Sequence, residues 1–272
     1  MFIKANLNFH NTFKPEKQYI SSLLELANNT DSLSVQDISS QTGIPAGKVS
    51  GKVEPHIFYS NYMGLIDYKK TDGNYSLKRT ILGEKVFAED PGFQEELTTL
   101  LCHCMMLREK NGAPLWAYAF KNIFPNYRSG VKKNIFLLEL NKVFNDKVNT
   151  KNIAPFFGSY ESFFKSLNIL NISDNINISS KPYNKEFIYL YALILFEYWN
   201  EAYLNQEEIT SVQLDDLCFG KAFGWDKPQE YSVLEHLSDK GIIRLNRQLM
   251  PYTVLKLTNE NELVNCLYSE LC

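Results

Sequence analysis

The side chains with the most chemical reach fall in two short stretches. Residues 9–15 read Phe-His-Asn-Thr-Phe-Lys-Pro and hold His10 between aromatic anchors; residues 90–96 read Asp-Pro-Gly-Phe-Gln-Glu-Glu, just before a segment with Thr98 and His103. Carboxylate oxygens from Asp90, Glu95 or Glu96 suit Mg²⁺ or Mn²⁺, and a histidine suits general-base work near neutral pH. Together they would hydrolyse a phosphodiester. His10, Asp90, Glu95 and His103 are the candidate catalytic set. The same residues also fit a structural role, with Asp90 capping a turn, the acids favouring a helix N-terminus and the histidines bonding backbone carbonyls. Cys102-His103-Cys104 does not read as a metal site, because neighbours at i, i+1 and i+2 of a helix point in different directions. No recognised nuclease metal signature, Gly-rich phosphate loop, dinucleotide fingerprint or zinc-protease helix occurs.

A second set is basic. Lys48, Ser50 and Lys52 share one segment, and Lys69, Lys70, Lys78 and Arg79 lie in or beside a β-hairpin. Such residues meet DNA phosphates when a helix approaches a groove. The other reading of the hairpin is a solvated basic surface on a protein-docking module.

The elements that position both sets follow from periodicity. Ile20, Leu23, Leu24 and Ala27 recur at helical spacing over 18–28, Ser34 starts a short helix over 34–39, and Gly43-Ile44-Pro45 breaks it. A further helix is expected over 46–63, with Lys48, Ser50 and Lys52 on its polar side and Pro55 splitting or kinking it. Two strand-like runs, 65–70 and 75–79, join through Asp72-Gly73, a tight-turn signal. Helix, turn, helix, hairpin is the order of a winged helix-turn-helix. Helices are then expected over 82–89, 93–109 and 115–123, with Trp116, Tyr118, Phe120 and Phe124 as core rather than a base-stacking platform. The stretch 132–204 reads as helical, with a loop over 171–184. Beyond it come a helix over 212–219, a break near residues 224–226, a helix over 228–240 and a hairpin from 241–245 and 252–257. The expected fold is mainly α with small β-hairpins: a winged helix-turn-helix (1–80), a helical middle domain (81–206) and a second winged-helix-like domain (207–272).

Charge and composition bound the function. The chain of 272 residues carries a net charge of −3 and 44% hydrophobic residues, enough for a substantial core. Residues 1–80 hold nine Lys and Arg against seven Asp and Glu, whereas 207–272 hold six against eleven. Binding to a polyanion must therefore come from a local patch or from partners, and the acidic surroundings favour protein docking by the second winged helix, where Arg244, Arg247 and Lys256 keep DNA open. The longest apolar run, 187–196, is about half of the ~20 residues that a membrane-crossing helix needs, so it reads as a core helix. No export signal is evident, and five scattered cysteines do not form a disulfide framework. The expectation is a cytoplasmic protein with reduced cysteines.

The run FHNTFKP, followed by GEKVFAEDPGFQEELTTLLCHCMML and APLWAYAFKNIFP, resembles a bacterial family of formerly unassigned function that accompanies the enzymes of DNA phosphorothioation, the SspB family. The resemblance covers about the first 130 residues. Its matching positions are His10, Thr12, Phe13, Gly83, Asp90, Pro91, Glu95, Thr98, Leu101, His103, Trp116 and Phe120. It implies double-stranded DNA as ligand and single-strand nicking that permits sulfur incorporation. It also implies partners in an ATPase, a PAPS-reductase-like protein and a cysteine desulfurase. The chain departs from the family pattern in two respects, with Asn11 where an acid often follows the first histidine, and Lys14 and Lys17 where an arginine follows shortly after. The reading is a DNA-binding component of a phosphorothioation system, with metal-dependent nicking as the activity that the resemblance implies. The alternatives are a non-enzymatic DNA-binding adaptor of that system and a winged-helix transcriptional regulator.

Overall fold

The computed structural model describes residues 6–28, 32–145, 147–248 and 250–271. Helix α1 (Lys17–Leu26) buries Ile20, Leu23, Leu24 and Leu26, the face its spacing implies. Ahead of α2 (Val35–Thr42), the Ser34 hydroxyl accepts from the Asp37 N–H while the Asp37 carboxylate accepts from the Ser34 N–H, a closed capping box. Gly43 ends α2 at φ +71°, which a side chain would oppose. The chain then turns, and α3 begins only at Val53 and runs to Tyr62. The expected helix over 46–63 is shortened because Pro55 occupies the first turn, where its missing N–H costs no helical bond. Lys48, Ser50 and Lys52 thus precede α3 rather than lining it.

Strands β1 (Ile66–Thr71) and β2 (Asn74–Arg79) pair antiparallel with Thr71 opposite Asn74. Asp72 and Gly73 both have positive φ, 51° and 84°, the twist that a two-residue hairpin loop requires. Leu33 bridges to Tyr75, which fastens the lead into α2 alongside the hairpin.

Helices α4 (Ile81–Glu89), α5 (Glu96–Met106), α6 (Pro114–Tyr118) and α7 (Phe124–Asn126) follow, the last two joined by a π-helical turn, Ala119–Ile123. Every residue of α5 from Leu97 to Met106 is buried. Trp116, Phe120 and Phe124 are core, in ring contact with Phe136, Phe156 and Tyr160. Beyond β3 (Val131–Lys132), α8 (Lys133–Phe144) and α9 (Thr150–Glu161), the segment expected as a loop over 171–184 instead contains β5 (Asn175–Ile178), paired with β4 (Leu170–Ile172) in a sheet of order β3-β5-β4. The alternation Asn175-Ile176-Asn177-Ile178 carries that strand, with Ile176 fully buried.

Helix α10 (Ile188–Ala202) is the expected core helix, packed against α5. Among the described residues no helix is long and apolar enough to cross a membrane. The chain ends with β6 (Glu208–Thr210), α11 (Ser211–Asp216), α12 (Lys227–Asp239), β7 (Ile243–Asn246), β8 (Thr253–Lys256) and α13 (Glu260–Cys266), with sheet order β6-β8-β7. Helix α10 also meets α12 and α13, and α13 meets α4, so one buried cluster runs from Leu7 to Tyr268. The architecture is mainly helical with small antiparallel sheets. Cys102 and Cys104 are buried, Cys218 and Cys266 half-buried, and all four are free; Cys272 lies outside the described residues.

Candidate nucleic-acid interface

The hairpin register sorts the basic residues onto two faces. Cross-strand partners share a face and successive residues alternate, so Lys69 opposite Ser76 and Lys78 opposite Asp67 lie on one side. Lys70 opposite Tyr75 and Ile66 opposite Arg79 lie on the other. Ile66, Tyr75, Leu77 and Arg79 are buried, which identifies the second side as the inner one. Lys69 and Lys78 are exposed, and among the described residues neither makes an ion pair.

On this second side Lys70 is exposed but ion-paired, and Arg79 is buried. Lys70 Nζ lies 2.7 Å from Glu54 Oε1, which also accepts from the Tyr75 hydroxyl. The bonds from Lys70 and Tyr75 hold the Glu54 carboxyl below its ordinary pKa. Glu54 stands in the first turn of α3, so this contact fixes the start of that helix against the hairpin, and a tilted contact between the Phe58 and Tyr68 rings, centres 5.5 Å apart, joins the same two elements. Arg79 is 6% exposed. Its guanidinium donates to the Leu24 carbonyl at 2.9 Å, pairs with Glu84 at 3.0 Å and lies 4.1 Å from the centre of the Phe87 ring.

The turn before α3 divides in the same way. Lys52 Nζ pairs with Glu16 at 2.7 Å and lies over the Phe13 and Tyr19 rings. Lys48 and Ser50 are exposed. His56 locks this corner, with Nδ1–H donating to the Lys52 carbonyl at 2.7 Å and Nε2 accepting from the Glu16 N–H at 3.1 Å. Burial lowers its pKa to about 4. Neither Glu54 nor His56 stood out in the sequence. Their partners lie 16 and 40 residues away, beyond any local pattern; the one available sign was an acid in the first turn of a helix.

The candidate catalytic residues sit elsewhere. His10 is 1% exposed, its Nδ1 accepting from the Thr12 N–H at 3.3 Å and its ring against Phe9 and Trp116. Asp90 is buried and accepts from the N–H of Gln94 at 2.8 Å and of Glu95 at 2.9 Å, one bond to each carboxylate oxygen. Glu95 is exposed, and Glu96 pairs with Lys181 at 2.9 Å. His103 is fully buried. Because a carbonyl can only accept, Nε2–H donates to Ala222 at 3.0 Å, which leaves Nδ1 to accept from the Tyr160 hydroxyl at 3.0 Å. Burial lowers its pKa to about 4. Among the described residues no hydrogen bond or ion pair joins Asp90 or Glu95 to His103.

A polar cleft of about 740 Å³ opens beside the outer hairpin face, lined by Asp67, Lys78, Arg108, Lys110, Glu197 and Glu260 among others. Arg108 pairs with Glu197 at 3.2 Å, and burial raises the pKa of Glu197. Glu201 ties down the approach to the cleft, accepting from the N–H groups of Glu109, Lys110 and Asn111.

No family model and no curated protein matches the chain. Among solved structures it is similar to the magnesium-bound crystal structure of SspB, with TM-score 0.73 and 15% identity over 98% of this chain and 91% of that one. The fold is that of SspB. A second SspB crystal structure gives TM-score 0.71 and 16% identity over 97% of this chain and 88% of SspB. The likeness to SspB therefore extends well past the first 130 residues that carry the sequence resemblance.

Proposed function

We propose that this chain is a DNA-binding component of a bacterial DNA phosphorothioation system. The observation that carries the proposal is the outward hairpin face, where Lys69 and Lys78 stand exposed with no ion pair among the described residues, while Lys70, also exposed, is paired with Glu54 and Arg79 is buried. With α1, α2 and α3 before it, the hairpin reads as the wing of a winged helix-turn-helix, and Lys48 and Ser50 add contacts from the turn ahead of α3. Such lysines neutralise phosphates and position a duplex without reading its sequence. The pathway comes from the sequence resemblance, with the SspB fold in support. The ligand is double-stranded DNA, and the partners are the ATPase, the PAPS-reductase-like protein and the cysteine desulfurase of that system. The C-terminal unit, β6 to β8 with α11 and α12, reads as a second winged helix whose acidic surface suits protein docking. The three units of the proposal are 1–80, 81–206 and 207–272.

Magnesium in one SspB structure raises the question of a Mg²⁺- or Mn²⁺-dependent nick. Among the described residues, those proposed for that ion are not gathered into one site. Both Asp90 oxygens hold backbone N–H groups, Glu96 holds Lys181, and among the described residues no three His, Cys, Asp or Glu gather as a metal would need. A general base must also reach its proton, and His103 is sealed with both nitrogens bonded. The function supported best is therefore to bind and present DNA as an adaptor. Purified protein should shift duplex DNA at low salt and leave supercoiled plasmid intact with Mg²⁺ or Mn²⁺. Relaxed plasmid would restore the nickase reading, and absence of a shift would remove the DNA reading altogether.

A further inference from the structure

Residues 45–52 form a narrow, closed turn with one apolar residue, Val49, at its tip. The Lys52 N–H donates to the Pro45 carbonyl at 2.7 Å and shuts the base of the turn. Within it Gly47 and Gly51 lie so close that a Cβ on Gly51 would meet the Gly47 carbonyl oxygen at 2.6 Å, closer than backbone tolerates. Both ends are anchored, since Ile44 and Val53 are buried, Lys52 is paired with Glu16, and Glu54 is strapped to the hairpin through Lys70 and Tyr75. A turn built this tightly presents Val49 at 94% exposure, the most exposed large apolar side chain among the described residues. Its neighbours Lys48 and Ser50 are exposed and polar. Nothing in the fold requires valine there, because its side chain touches almost nothing.

We propose that Val49 is a wedge that enters the base stack of the bound duplex while Lys48 and the outward hairpin lysines hold the flanking phosphates. The chemistry comes from the pairing of an apolar branch, Val49, with one exposed cation, Lys48, on a closed turn. Minor-groove proteins insert apolar side chains between base pairs in this way, partly unstack the step and kink the duplex. The favoured sites are pyrimidine–purine steps, which unstack most easily. The inference rests on the DNA-binding reading.

The test uses the full chain and short duplexes carrying 2-aminopurine in different step contexts, with dyes at the two ends to report bending. Wild type should raise 2-aminopurine fluorescence and bring the ends closer. Val49→Ala should keep its fold by circular dichroism and bind within about tenfold of wild type, because the gain from burying the valine and the cost of unstacking oppose each other. It should lose most of the fluorescence gain and of the bend. Val49→Leu should retain both. If Val49→Ala bends and unstacks DNA as wild type does, or if wild type binds with no fluorescence change, the wedge is overturned while DNA binding stands. If wild type binds no duplex at low salt, the DNA-binding reading itself fails, and Val49 is left to a protein contact.

Discussion

Replacing Lys69 and Lys78 together with alanine tests the division of the hairpin into a DNA face and a fold face. Each phosphate neutralised contributes about 0.9 to the slope of log affinity against log salt, so losing two contacts should reduce that slope by about 1.8. Between about 50 and 200 mM salt, a fourfold change, the advantage of wild type over the double variant should then shrink by roughly tenfold. Lys70→Met is the matched control. It removes one charge from the same hairpin, but Lys70 lies on the opposite face and is paired with Glu54, so its slope should stay near that of wild type rather than fall by the ~0.9 of one lost phosphate contact. Fluorescence anisotropy on a labelled duplex across a salt series measures all three. Equal slopes for wild type and the double variant would take the hairpin out of the interface. A Lys70 variant as damaged as the double one would refute the assignment of faces.

The histidines make stability depend on acid. His56 and His103 have pKa values of about 4 in the fold against an ordinary 6.5, so the unfolded chain takes up protons first as pH falls. Stability should be complete above about pH 6.5, decline towards pH 4 and level off below, at a cost of up to about 3 kcal/mol for each histidine. His103→Gln should make the acid limb of a melting-temperature profile about half as steep; an unchanged limb would show that His103 does not titrate with unfolding. Arg79→Met should cost about 2–3 kcal/mol by urea denaturation, from its bond to Leu24 and its stacking on Phe87, and a cost under half of that would contradict the buried role. Asp90→Ala should lose about 1–2 kcal/mol by removing the cap on the Gln94 and Glu95 N–H groups, and Asp90→Asn should recover part of it; equal losses would count against capping.

Local pattern determined much of the fold. The apolar spacing of α1, the Ser34–Asp37 box, the Asp72-Gly73 turn and the apolar run of α10 each act within a few residues, so the sequence alone reveals them. The extent of α3 was legible only in part. Pro55 announces a boundary, but its place in the first turn rather than at a kink depends on how the preceding turn closes on Pro45. Strands β3 and β6, two and three residues long, have too little periodicity to detect and exist because distant strands pair with them.

The candidate site divides along the same line. The sequence determined that seven polar residues, Lys48 to Arg79, would fall along one stretch of short helices and a hairpin, because turn chemistry and strand alternation are local. Only the tertiary structure decided which of them remain available. Lys70 goes to Glu54, Arg79 to Leu24 and Glu84, and Lys52 to Glu16, all through contacts made after the chain has folded back on itself. His103 is the same case in reverse: its residue type suggested a base, but Ala222 and Tyr160, far along the chain, enclose it and bond both nitrogens. Residue type and spacing name the groups that can do chemistry, while exposure and partners, which long-range packing sets, decide what each is free to do.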